Sequence, residues 1–312
     1  MKTKLLPILI LFSCNWCIAQ QVKPNIDYHI YGLPRQDNLK GKVKSIKYRE
    51  GAFHSIMKFD EHNNVIEFDA TGKDSVRSVK EFNYYNAIGN LIETDVVGGP
   101  HKTLVEKTFY EYDQKDSLIS IKGAYVAGGQ EYQMFEAKLL YDTVGNLIDE
   151  KEHYAHLSFD SRKGEIPDSS DTTSQDGEIR HIYDAKGRLI QNGGLPGTEF
   201  DGEHLIYDDK GRLRERSFSS DEMKNISQWD ENGNQVDTLY QYGVNKMDVK
   251  RVIKYDPHHN IREEIAVTLQ GDFLFKSTPV YKYDKMGNWI ETYDIENGKK
   301  GKSMKREIEY YK

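Results

Sequence analysis

The chain has 312 residues, enough for one large domain or two ordinary ones, and a net charge of −7. An acidic chain without a basic block excludes nucleic acid as the expected partner, because that binding draws on cationic contacts to phosphates. Apolar residues make up 37% of the chain and 21 residues are Tyr, so it folds around a thin, aromatic-rich core.

Residues 1–19 read as an export signal. Lys2 and Lys4 precede the apolar run Leu5–Phe12, and Cys17-Ile18-Ala19 places small residues before a cleavage point between Ala19 and Gln20. The run is shorter than the roughly 20 residues of a membrane span. Cleavage there removes both cysteines, Cys14 and Cys17, leaving no disulfide framework and no thiolate chemistry. A second reading stays open: Leu11-Phe12-Ser13-Cys14 resembles a bacterial lipobox, which would make Cys14 a lipidated first residue. The two readings give a freely exported protein or one tethered by a lipid anchor.

Residues 20–56 read as a leader and capping strand, with LKGKVKSIKYRE (39–50) alternating as a first strand or half-hairpin. Over 57–312 one unit repeats nine times: FDEHNNVIE from Phe59, YNAIGNLIE from Tyr85, YDQKDSLIS from Tyr112, YDTVGNLID from Tyr141 and YDAKGRLIQ from Tyr183. YDDKGRLRE from Tyr207, WDENGNQVD from Trp229, YDPHHNIRE from Tyr255 and YDKMGNWIE from Tyr283 continue it. An aromatic ends one strand, and the following Asp accepts from backbone N–H groups to open a turn. Three residues beyond the Asp, a type I turn closed by a bulge requires positive φ. Gly89, Gly145, Gly187, Gly211, Gly233 and Gly287 fill that slot, and Asn63, Asp116 and His259 replace glycine elsewhere. Those three types are the non-glycine residues most enriched in left-handed backbone. The aromatic then pairs with the residue two places after the slot, as in Tyr141 with Leu147 and Tyr283 with Trp289. The expected fold is all-β: repeated antiparallel hairpins forming one long, twisted and curled sheet or open shell, aromatic inside, with a lesser aliphatic stripe outside.

YDAKGRL (183–189) and YDDKGRL (207–213) carry a resemblance to the YD-repeat (Rhs-type) family, whose unit reads approximately Y-D-x-x-G-R-L. The resemblance covers about 57–312 and implies successive β-hairpins winding into a curved or closed shell, as in secreted bacterial toxins. Nine units are few for closure, which favours the open form, and Asn stands in place of Arg in six copies. A MORN-like hairpin array is the alternative. Only Lys312 follows Tyr311, so no toxin domain is expected. The longest interval holds an insertion at about 161–178, rich in Ser, Asp, Thr and Gly, which reads as an exposed loop.

Motifs for nucleophilic, zinc-dependent, phosphate-binding or dinucleotide chemistry are absent from the sequence. His153 and His156 are three apart, which on a strand sends them to opposite faces and argues against a shared metal. The repeated Asp, one per unit, does not supply the six to eight oxygens calcium needs. The expectation is therefore a non-enzymatic protein with no cofactor and no metal. It would be exported to the periplasm, the outer membrane or the exterior, as an envelope or extracellular binding scaffold. Tyr125, Tyr132, Phe135, Tyr240 and Tyr242 lie outside the repeated slot and are the candidate surface aromatics, suited to sugar faces. By family resemblance the favoured ligand is a glycan or cell-wall component. The alternative is a protein-binding accessory of a secreted toxin or cell-contact system, gripping an envelope protein by a sheet edge or the inner shell.

Overall fold

The computed structural model describes residues 39–50, 53–71, 79–98, 103–157, 172–193, 202–220, 223–241, 248–256 and 260–312. The signal, Cys14, Ala19, Gln20, His259, Tyr242 and the insertion up to residue 171 lie outside the described residues. Every regular element among the described residues is a strand. The first seven are β1 (Val43–Glu50), β2 (Phe53–Phe59), β3 (Val65–Thr71), β4 (Val79–Tyr85), β5 (Leu91–Gly98), β6 (Thr103–Tyr112) and β7 (Leu118–Ala127). Then come β8 (Gln130–Tyr141), β9 (Leu147–Leu157), β10 (Thr172–Tyr183), β11 (Leu189–Asn192), β12 (Glu203–Tyr207), β13 (Leu213–Ser219) and β14 (Met223–Trp229). The last six are β15 (Gln235–Gln241), β16 (Val249–Tyr255), β17 (Ile261–Thr268), β18 (Phe273–Tyr283), β19 (Trp289–Glu296) and β20 (Lys299–Tyr310). β10 begins earlier than the composition of the insertion suggests: Thr172–Glu178 already pair with β9, so the loop is shorter than 161–178.

Each strand pairs antiparallel with the next, and β1 pairs with β20 through Ile46–Ile308 and Tyr48–Arg306. The sheet is therefore a closed twenty-stranded barrel, correcting the open shell expected from the sequence. The reason is parity. Nine hairpin units supply eighteen strands, and the half-hairpins at the two ends supply β1 and β20. An even number of up-and-down strands brings the ends together antiparallel, and closure removes both exposed edges.

The repeat turns set the register. Phe59–Val65, Tyr85–Leu91, Tyr112–Leu118, Tyr141–Leu147 and Tyr183–Leu189 are direct cross-strand partners. So are Tyr207–Leu213, Trp229–Gln235, Tyr255–Ile261 and Tyr283–Trp289. Backbone φ is 63° at both Asn63 and Asp116 and 74° at Gly187. Asp142 shows the shared geometry: its Oδ1 accepts from the N–H of Val144 (2.9 Å) and Asn146 (2.8 Å). Its Oδ2 accepts from the Asn146 side chain, and Arg188 and Arg212 reach Asp184 and Asp208 in the same way. Asn and Arg thus fill one role, which explains their exchange between copies. The tyrosine hydroxyls add a link between units: Tyr112 donates to Leu91 O, Tyr141 to Leu118 O and, across the closure, Tyr311 to Phe59 O.

The described repeat turns line one rim, and the strands alternate between two faces. In β2–β3 the pairs Phe59–Val65 and Met57–Phe68 are buried on the inner face. Lys58 and Glu67 point outward and pair at 2.7 Å. One buried cluster spans the closure, with Val43, Ile46, Tyr48, Phe59 and Phe68 packed against Trp289, Met304 and Ile308. The Arg306 guanidinium sits 3.2 Å from the Trp289 ring centroid, and burial pushes its pKa down to about 9. A second cluster joins β5 to β9 through Leu91, Tyr110, Leu118, Leu139 and Leu147.

Candidate functional site

The inner wall of β6–β10 brings together the chemistry the sequence had scattered. Strand pairing aligns Glu106, Tyr125 and Tyr132 in one row, and Gly123, Phe135 and Tyr154 in the next. Gly123 leaves room there: a Cβ on it would lie 3.6 Å from Cβ of Phe135. Phe135 and Tyr154 form a tilted ring pair with centroids 4.9 Å apart, and Tyr154 remains 37% exposed. A third row sets Glu152 between Ala137 and Gly177, two small residues that give its carboxylate space.

Burial and the neighbouring Glu150 push the Glu152 carboxyl above its ordinary value, although a hydrogen bond from the Tyr154 hydroxyl opposes this. Burial alone raises Glu106. A carboxyl displaced this way holds its proton to higher pH, and in that form it donates as well as accepts hydrogen bonds. Beside the strip runs a polar chain across five strands. Glu150 meets His181 Nε2 at 2.9 Å, His181 Nδ1 meets Asn192 at 2.9 Å, and Asn192 donates to Glu203 at 3.1 Å. Arg216 Nε completes it, donating to Glu203 at 2.7 Å.

Of the aromatics singled out from the sequence, Tyr125, Tyr132 and Phe135 are neighbours in this strip. Tyr125 is a correction: it is only 7% exposed, because β6 and β8 cover it from both sides, so it supports the site rather than presenting a surface. Phe135 is half-buried against the second core cluster. Tyr240 lies elsewhere, half-buried in β15. His153 faces outward and meets Asp176 at 2.6 Å, away from the strip. Sequence reasoning missed Tyr154, Glu152 and the His181 chain. The signal was available, since counting back from the Tyr141–Leu147 turn pair, with one residue added for the bulge beside it, sets Phe135 opposite Tyr154.

No known family profile and no curated protein matches the chain. Among solved structures, a crystal structure titled TcdB2-TccC3-TEV is similar over 79% of this chain at 15% identity, with a TM-score of 0.35. The matched region is 15% of that much longer protein. A porin-like protein from Bacteroides vulgatus ATCC 8482 is similar over 86% of this chain and 98% of its own, at 7% identity and a TM-score of 0.31. A porin-like protein from Bacteroides uniformis ATCC 8492 gives 87%, 99%, 10% and 0.22 for the same measures.

Proposed function

We propose that this protein is a non-enzymatic, exported cell-envelope scaffold that binds carbohydrate on the inner wall of its barrel. The observation that carries the reading is the Phe135–Tyr154 ring pair, partly exposed, with the Glu152 carboxyl hydrogen-bonded to the Tyr154 hydroxyl. An aromatic face takes the C–H side of a sugar ring, while adjacent carboxyl and hydroxyl groups take its hydroxyls. The export motif at residues 1–19 supplies the compartment. The alternative, a protein-binding accessory, loses one of its two routes, since closure leaves no free sheet edge among the described strands.

The test is a screen of glycans and cell-wall fragments against the purified exported protein, read by thermal shift and confirmed by calorimetry. A saturable ligand is expected, and Tyr154→Ala should weaken it about tenfold, equivalent to roughly 1.4 kcal/mol. A clean null on folded protein, or a ligand indifferent to Tyr154→Ala and Glu152→Gln, overturns the reading.

A further inference from the structure

The turn rim is not uniform around the barrel. The residue just before the positive-φ slot is the outermost position of each turn. Around one arc it reads Ile88, Lys115, Val144, Lys186 and Lys210. Ile88 is 64% and Val144 80% exposed, although neither position demands an apolar residue: other turns place His62 and Asn232 there. Directly behind the same tips, the outer wall exposes Tyr84, Ile92, Ile119, Leu140, Ile182 and Ile206. From β13 to β18 no large hydrophobic side chain among the described residues is exposed at this rim. The exposed apolar set runs from Met286 (42% exposed) at the tip between β18 and β19 past Ile66 (37%) on β3 and is densest over β4–β12, where an isolated surface aliphatic would need no explanation but a contiguous set does.

A second observation fixes the orientation. The chain enters the barrel at this same rim: Lys40 exchanges hydrogen bonds with Asn288 of the last turn at 2.8 and 2.7 Å, and Val43 N–H donates to Asn63 of the first. The described chain thus begins at the turn rim and not at the opposite end.

We propose that the β4–β12 arc of the turn rim seats on a phospholipid surface. Ile88 and Val144 enter the headgroup–acyl boundary, and Lys115 between them and Lys186 on the far side of Val144 extend their charges to lipid phosphates. The seat is shallow. Glu93 pairs with Lys107 and Glu111 with Lys122 on the outer wall, at 2.7 and 3.0 Å, immediately above the tips. A spanning barrel needs an apolar band about 25 Å tall, which these pairs interrupt.

The experiment uses the full chain carrying Cys14→Ser, so that no acyl group contributes, and vesicles of phosphatidylcholine with and without phosphatidylglycerol. Co-sedimentation with both is expected, stronger with phosphatidylglycerol. The double variant Ile88→Asp/Val144→Asp should lose at least tenfold in binding at an unchanged melting temperature. Lys115→Glu/Lys186→Glu should lose only the phosphatidylglycerol preference. An Ile88→Trp reporter should shift its emission to the blue on vesicles. Folded protein that stays in the supernatant overturns the proposal, as does an aspartate variant that binds undiminished. Light scattering that shows a dimer broken by the aspartate pair also overturns it, by assigning the arc to a second copy of the chain.

Discussion

The barrel buries its largest apolar cluster where the chain ends meet and is joined to itself least firmly in the middle of the sequence. β1 and β20 share six register partners over a cluster whose side chains are nearly all excluded from solvent. β11 and β12 share only two, Gln191–His204 and Asn192–Glu203, and β11 is four residues long. Sixteen of the nineteen buried hydrophobic residues among those described lie between Val43 and Leu147. The weak seam is bridged instead by side chains, through His181, Asn192, Glu203 and Arg216. Closing a ring costs chain entropy, so the largest apolar burial is spent on the contact of greatest sequence separation. Neighbouring hairpins, already brought close by their turns, hold with less.

Truncating the closure should have the largest effect. Phe59→Ala removes a ring that is 1% exposed and should cost about 3–5 kcal/mol in chemical denaturation. Leu205→Ala, half-buried beside the weak seam, should cost roughly 1–2 kcal/mol; equal losses would erase the contrast. Next comes Gly187→Val, where no atom lies within 4 Å of an added Cβ, so only the positive φ is tested. That change should cost about 1–2 kcal/mol. An unaltered melting temperature would refute the turn assignment. Arg216→Ala should cost about 1 kcal/mol. Hydrogen exchange should then quicken in β11 and β12 while the β1–β20 amides stay protected.

The smallest effect is a dependence on pH. Burial raises the Glu106 carboxyl in the folded state above its unfolded value. Its protonated form therefore favours folding below the unfolded value, and this contribution is lost as pH rises through the folded one. Glu106→Gln should raise the melting temperature at neutral pH and leave it nearly unchanged in acid. A variant that gains nothing at neutral pH would show that the carboxylate finds solvent inside the barrel.

How much could be read beforehand depended on how local the cause was. An aromatic, an Asp and a left-handed residue within seven positions determine a hairpin turn, so the register around Tyr141 or Tyr283 was legible in the sequence. The role of Asn146, reaching back to the second oxygen of Asp142, is equally local but hidden, because Arg188 achieves it with a different side chain. Closure was not legible. It depends on strand parity and cumulative curvature, which no short window contains. The strand at Thr172–Glu178 was concealed by its composition: it pairs with β9 through the backbone while largely remaining at the surface, so it needs few apolar residues. The inner strip was half legible, since Tyr125, Tyr132 and Phe135 drew notice as unrepeated aromatics. Glu152 and Tyr154 needed the register carried six and eight residues past Asn146, the end of the turn, and across a bulge.

Tyr311 N–H donates to Lys42 O at 2.9 Å, so the two ends of the barrel abut. A ring joined in this way has no privileged first strand. Circular permutants should therefore fold if the native ends are linked and the chain is reopened at the Gly128-Gly129 hairpin, where β7 and β8 share eight register partners. Reopening between Asn192 and Glu203 would leave two partners to hold the new ends together, and that permutant should gape along one side.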